Sequence, residues 1–156
     1  MKPIANIFTK GSTTQISVAV AILVQKGQYL LQLRDEIPTI VYPGVWGLFG
    51  GHLENGETPE AGIERELWEE IGYCPSDLTL FGCYGDIRVL RYVFHGCLDV
   101  PLTALSLQEG WDMQLWGVDE IFKGERLSDC SGDCRPIAQP HRTILNDFLR
   151  IYPQNC

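Results

Sequence analysis

The segment from Pro59 to Ile71 is the part of the chain whose local structure the sequence constrains most, because both of its ends carry helix signals. Thr58 suits the N-cap and Pro59 suits the first helical position. Gly72 stands where a left-handed glycine commonly ends a helix. Apolar residues recur every four positions and predict a buried stripe along one face: Ile63, Leu67 and Ile71.

Three glutamates share a second face of this predicted helix. At about 100° per residue, Glu66, Glu69 and Glu70 fall within an arc of roughly 100° that adjoins the apolar stripe and includes Gly62. Charge alone favours a solvated acidic face. The neighbouring stripe strengthens the repulsion, however, and Arg65 is the one cation close by in sequence. Because hard divalent cations take oxygen ligands, a metal site explains the cluster better.

The chain as a whole is acidic, with a formal net charge of -8 over 156 residues. Duplex binding is driven mainly by basic surface, so we expect no nucleic acid partner. An acidic protein also repels phosphates, and a phosphate substrate would need a divalent cation to neutralise it. Residues 16–24 are too few to span a bilayer, and residues 1–15 carry no signal-peptide core. We therefore expect a cytoplasmic protein without membrane contact.

Hydrophobic patterns and turn residues predict strands on both sides of the helix. The strands are expected at 16–25, 28–34, 45–49, 78–84, 87–98 and 113–118, and a closing helix is expected at 143–150. Asp119 and Glu120 are expected to cap and begin a further short helix. This order indicates one α/β layered domain over residues 1–156, with a mixed central sheet.

Six cysteines are present, but a domain of this size does not need disulfides and a reducing compartment would not keep them. We therefore expect free thiols, with Cys74, Cys83 and Cys97 in or beside core segments. Cys130 and Cys134 stand three residues apart in a polar loop, with His141 further on. This spacing fits zinc poorly, so we interpret the pair as loop thiols.

The segment around the acidic helix resembles the Nudix box, G-x5-E-x7-R-E-U-x-E-E-x-G-U, in which U is a bulky aliphatic residue. The matching residues are Gly51, Glu57, Arg65, Glu66, Leu67, Glu69, Glu70 and Gly72. Tyr73 stands at the last position instead of an aliphatic residue, and Phe49 stands where proline often precedes the glycine pair. The resemblance implies a Nudix-type α/β/α sandwich with a mixed central sheet.

The resemblance also implies roles for single residues. The helix glutamates and one backbone carbonyl would hold Mg²⁺, with Mn²⁺ as an alternative: Glu66, Glu69, Glu70 and Gly50. Arg65 and Glu57 would form an ion pair that orients these carboxylates. Arg34 would contact phosphate or ribose, although a surface arginine at a strand end is an equal alternative.

A catalytic base or additional ligand often comes from outside the box in this family, from a loop after the central strands. Glu109 is our candidate, just ahead of the strand predicted at 113–118, and Asp112 is a weaker one. The alternative for Glu109 is an ordinary loop carboxylate. His52 follows the glycine pair and is interpreted as a loop residue near the site.

These inferences predict Mg²⁺-dependent hydrolysis of a pyrophosphate bond in a small-molecule nucleotide, a nucleoside triphosphate or its oxidised form. Nucleotide sugars and dinucleotides are the alternative substrates. A non-catalytic nucleotide-sensing domain would be expected to lack box glutamates, and a related isomerase would need a cysteine motif that we do not find. Gln139 would either read the nucleobase through its amide or cap the closing helix. A homodimer is left open.

Overall fold

The computed structural model describes residues 14–85 and 87–152. One sheet contains β1 Ile16–Gln25, β2 Gln28–Leu33, β3 Trp46–Gly47, β4 Phe49–His52, β5 Thr79–Gly85, β6 Val89–Cys97 and β7 Asp112–Trp116. A separate antiparallel hairpin contains β8 Glu125–Leu127 and β9 Cys134–Pro136. The α-helices are α1 Pro59–Ile71, α2 Val118–Lys123 and α3 Gln139–Ile151, and a short 3-10 helix covers Leu102–Ala104.

The large sheet is mixed because β1 pairs with both parallel and antiparallel strands. It runs parallel to β6 from Ile16 to Val24 and antiparallel to β2 and β4. The strands β3 and β7 pair with β2, and β5 pairs with β6. A parallel pair needs a long crossover, and here the connection from β1 to β6 includes α1.

Alternation of side chains along β1 builds an apolar cluster on each face of the sheet. Ala19, Ala21 and Leu23 pack with the apolar stripe of α1. On the opposite face, strand residues pack with the buried side of α3: Val20, Ile22, Val24, Ile144, Leu145 and Phe148. Helices therefore cover both faces, which confirms the predicted α/β/α sandwich.

The helix α1 has the bounds that its sequence predicts. The Thr58 side chain accepts a 3.2 Å hydrogen bond from the Ala61 N–H. Gly72 has a φ of 64° and its N–H bonds to the Trp68 carbonyl, which ends the helix in the left-handed region. The apolar stripe is buried, so the adjoining glutamate face must lie at the margin of the core.

The two other helices begin at residues that differ from the prediction. The helix α3 starts at Gln139 and not at 143, and its N-cap is Ala138, so the interpretation of Gln139 as the cap is wrong. Pro140 can stand in the first turn because its missing N–H would have no helical partner there. The N-cap of α2 is Gly117 and not Asp119, and Glu120 accepts from the Gly117 N–H at 2.8 Å.

The expectation for the cysteines is corrected at two positions. Cys97, at the end of β6, is disulfide-bonded and is not a free thiol. Cys83, in β5, is exposed and not part of the core. Cys130 and Cys134 are free and exposed.

None of the helices described in residues 14–85 and 87–152 has the length and apolarity needed to cross a membrane.

Candidate active site

The site is built where the glutamate face of α1 meets the glycine pair of β4. Glu70 is only 6% exposed, and its Oε2 accepts a 2.9 Å hydrogen bond from the Gly50 N–H. The pKa of Glu70 is raised to about 8, mainly by burial, with the charges of Glu66 and Glu109 acting in the same direction and the Gly50 hydrogen bond opposing them. A buried carboxylate with acidic neighbours is in position to take a cation.

Arg65 binds several carboxylates of the site at once. Its Nε donates to Glu57 Oε1 at 2.7 Å and its Nη2 donates to Glu57 Oε2 at 3.0 Å, a two-pronged ion pair. Its Nη1 donates to Glu66 at 2.9 Å and to Glu69 at 3.2 Å. The Arg65 guanidinium and the Glu54 N–H lower the pKa of Glu57 to about 2. The predicted ion pair between Arg65 and Glu57 is present, and it also fixes Glu66.

Both glycines of the pair allow close approach. Gly50 has a φ of 137°, and a Cβ there would clash with the Ala19 carbonyl oxygen on the neighbouring strand. At Gly51 a Cβ would stand 2.6 Å from Oε1 of Glu66. The first glycine is thus required by the backbone of the sheet, and the second leaves room for a carboxylate of the site.

A cavity of about 460 Å³ opens beside this cluster, on the face of the sheet that α3 covers. One wall is acidic and contains Glu66, Glu69, Glu70 and Glu109. The floor is apolar, and Arg34, Arg91 and His141 line the remainder, with Val41 and Tyr42 at its exposed side. The volume falls within the range of about 300–1,000 Å³ that is typical of small-molecule sites.

The donor set suits a hard divalent cation, because the acidic wall offers carboxylate and carbonyl oxygens only. Among the residues that the structure describes, no three potential ligands already converge closely enough to hold an ion. Arg65 accounts for this in part, since it holds Glu66 and Glu69 toward itself. A cation would therefore have to draw these side chains toward Glu70.

Two further predicted site residues, Glu109 and Arg34, line the cavity. Glu109 is exposed and lines the cavity, and its charge is felt by Glu66 and Glu70. Arg34 also lines the cavity, and its Nε donates to the Val41 carbonyl at 2.9 Å.

The weaker candidates lie elsewhere. Asp112 accepts hydrogen bonds from Ser128 and Gln114, at 3.0 and 2.9 Å, in a network between β7 and the loop after β8. Gln139 is exposed at the start of α3 and is not among the residues that line the cavity. His52 does line it, at the end of β4.

Two cavity residues were missed by the sequence reasoning. His141 is buried and accepts a 3.0 Å hydrogen bond at Nδ1 from the Leu48 N–H, and burial lowers its pKa to about 3. Arg91 is a charged residue within the apolar strand β6, next to Val18 of β1. An arginine in an otherwise apolar strand was a usable signal. His141 had none, because α3 was predicted to begin after it.

Comparison with known proteins places this geometry in a family. The family model for the NUDIX domain matches residues 13–127. An NAD-capped RNA hydrolase, NudC from Chromobacterium violaceum, is 41% identical over 142 residues, which cover 88% of this chain and 48% of that protein. A nucleoside triphosphatase, NudI from Salmonella agona, is 39% identical over 72 residues, which cover 45% of this chain and 51% of that protein. The chain thus spans about half the length of these relatives.

A solved structure supports the same assignment at the level of the fold. The MutT protein from Methanosarcina mazei Go1 superposes with a TM-score of 0.67 and 22% identity, over 90% of this chain and 96% of that one. Since the family model covers most of the chain and the carboxylate helix, glycine pair and sandwich occur together, the protein belongs to the Nudix family.

Proposed function

We propose that this protein hydrolyses a pyrophosphate bond in a nucleoside diphosphate-linked substrate, and that a nucleoside triphosphate or its oxidised form is preferred. The observation that carries the proposal is the buried carboxylate of Glu70, bonded to the Gly50 N–H in the lining of the cavity. Burying a carboxylate beside two others costs stability, and a purely structural role would not need it. The cost is explained if the folded protein binds a cation there.

Glu66, Glu69 and Glu70, with the Gly50 carbonyl, would hold Mg²⁺ or Mn²⁺. When bound, the cation neutralises phosphate oxygens and lowers the pKa of the attacking water. Arg65 would keep Glu66 and Glu57 in fixed orientations through its fork of donors.

Glu109 would act as the base, since its carboxylate lines the cavity on the same side as the helix glutamates. It would take a proton from the water as the oxygen bonds to phosphorus and the bond from phosphorus to the bridging oxygen breaks. The leaving phosphate departs with the electron pair of that bond. Arg34, which lines the same cavity near His141, would contact phosphate or ribose.

Relatives support two substrate classes. The nucleoside triphosphatase NudI matches this chain over 72 residues, and this agrees with our first choice. NudC, named as an NAD-capped RNA hydrolase, matches over 142 residues, and this favours a dinucleotide linked through pyrophosphate as the second candidate. In both cases the bond that breaks joins two phosphates. The classes differ in the leaving group.

A substrate panel tests the proposal. The full chain with Mg²⁺ would be given the four common nucleoside triphosphates, 8-oxo-dGTP, NAD, ADP-ribose and UDP-glucose. We expect a nucleoside triphosphate to give the highest kcat/KM, with the monophosphate and pyrophosphate as products. Faster cleavage of NAD into two mononucleotides would select the second candidate. Binding without turnover of any compound would indicate a nucleotide-sensing domain and contradict the proposal.

A further inference from the structure

Part of the cavity lining is apolar, and phosphate binding does not explain why an apolar surface is present there. Val18, Val20 and Leu48 form this apolar floor, and the first turn of α3 adds His141 beside it. An apolar floor favours a flat, weakly hydrated group and gains nothing from a phosphate. A polar side chain next to such a floor is in position to fix the orientation of that group.

The ring of His141 is held in one orientation and one tautomer. Its Nδ1 accepts a 3.0 Å hydrogen bond from the Leu48 N–H, so Nδ1 carries no proton. The neutral ring then carries its proton on Nε2, which becomes a donor. Burial lowers the pKa of His141, which keeps the ring neutral. The imidazole ring fits in this position because residue 47 is glycine: a Cβ on Gly47 would lie 2.7 Å from Nδ1 of His141.

The Nε2 donor has no acceptor among the described residues, although His141 is only 9% exposed. The described polar atoms that are fully enclosed and unpaired do not include Nε2, so this nitrogen keeps access to the cavity that the ring lines. A buried donor without a partner is costly unless a ligand completes it. Nε2–H therefore offers a fixed donor to an acceptor that enters the cavity.

We propose that the Nε2–H group of His141 donates a hydrogen bond to an acceptor atom of the substrate's nucleobase, which lies on the floor formed by Val18, Val20 and Leu48. This rests on the proposed function, since it assigns the nucleotide's base to that end of the cavity. Arg34 and Arg91 line the same cavity and could hold a phosphate there instead. The neutral ring and the apolar floor favour the base, and the experiment below separates the two.

Two substitutions distinguish the roles of the two ring nitrogens of His141. His141→Asn keeps an acceptor near the position of Nδ1 for the Leu48 N–H but removes the donor at Nε2. His141→Gln reaches the position of Nε2 with an amide donor but gives up the bond to Leu48. A merely structural histidine would therefore be replaced better by asparagine, and a base-reading histidine better by glutamine.

The probes are AMP, GMP, CMP and UMP, with ribose 5-phosphate as the control without a base. Calorimetric titration in Mg²⁺ would give each Kd, and thermal melting would report stability. In wild type we expect at least one monophosphate to bind more tightly than ribose 5-phosphate. In His141→Asn that difference should shrink by about tenfold, the scale of one hydrogen bond, with ribose 5-phosphate unchanged. His141→Gln should recover part of it despite a lower Tm.

Several results would overturn the inference. One is wild type binding no monophosphate better than ribose 5-phosphate, and another is unaltered base-dependent binding in His141→Asn. Equal weakening of ribose 5-phosphate in the asparagine variant would show that His141 contacts phosphate. Because these measurements need no turnover, they stand apart from the hydrolysis panel, where loss of all cleavage would contradict the proposed function alone.

Discussion

The backbone N–H of Gly50 donates a 2.9 Å hydrogen bond to Oε2 of Glu70, which joins the glycine pair of β4 to the last turn of α1. This one bond does not offset the burial of the carboxylate, and the pKa of Glu70 stands at about 8. In the metal-free protein a charge at this position is therefore unfavourable. Cation binding and Glu70 ionisation are linked as a result.

The first prediction is that the metal-free protein loses stability as the pH rises from about 5 to about 8. The pKa of Glu70 is raised from 4.5 to about 8 on folding, so its contribution is fully present below pH 4.5 and is lost as the pH passes the folded value. At about 1.4 kcal/mol per pKa unit the loss amounts to a few kcal/mol. Urea unfolding in EDTA at several pH values would measure it.

The matched variant for this experiment is Glu70→Gln, which cannot ionise. Its unfolding free energy should vary less with pH than that of wild type and should exceed it at pH 8. If both proteins follow the same pH dependence, Glu70 is not the group responsible and its burial has no such cost.

The second prediction concerns Arg65→Lys. A lysine keeps the charge but cannot donate to both oxygens of Glu57 and to Glu66 at the same time. We expect a loss of roughly 10- to 100-fold in metal affinity or turnover, the range for residues that orient ligands. Arg150→Lys is the control, since Arg150 is exposed at the far end of α3. If Arg65→Lys keeps the wild-type rate, Arg65 does not orient the ligands and forms only a surface ion pair.

The third prediction separates the two glycines. Gly50→Ala should destabilise the fold, because the new Cβ meets the Ala19 carbonyl of the adjacent strand at a φ of 137°. Gly51→Ala should keep the fold but lower turnover, because the three atoms nearest its Cβ belong to the Glu66 carboxylate, at the end of a side chain and not in the backbone. Thermal melting and kcat would be measured for both. Equal Tm values for the two variants would refute the distinction.

The fourth prediction concerns Glu109→Gln. If Glu109 takes the proton from the attacking water, kcat should fall by about 10²- to 10⁴-fold with little change in KM. Glu125→Gln offers a matched control on the exposed strand β8. An undiminished kcat would leave Glu109 as a loop carboxylate at the cavity entrance.

Local signals account for what the sequence could predict. The sequence predicts α1 over Pro59–Ile71 because the capping residues Thr58 and Gly72 and a four-residue apolar repeat act within a few positions. The strand β1 was predicted with the bounds observed, from its apolar, β-branched composition. The helical arc of Glu66, Glu69 and Glu70 likewise follows from spacing alone.

Long-range packing accounts for what the sequence could not. The burial of Glu70 depends on β4 pairing with β1, which brings Gly50 over the helix. The position of His141 depends on β3 and on the space at Gly47, ninety-odd residues earlier in the chain. No local pattern encodes either contact, so the sequence predicts the glutamate face of α1 and Arg34 but not the place of His141 in the cavity.

Turnover as a function of Mg²⁺ concentration tests the central claim most directly, with the best substrate of the panel and with wild type, Glu69→Gln and Glu70→Gln. We predict that wild-type hydrolysis saturates with Mg²⁺ and stops in EDTA. Both variants should lose activity by orders of magnitude while their circular dichroism stays that of the wild type. Glu69→Gln removes a charge from a repelling cluster, and Glu70→Gln keeps the uncharged form that burial favours at this position. Full turnover in EDTA, or full activity in Glu70→Gln, would contradict a metal-dependent site on α1.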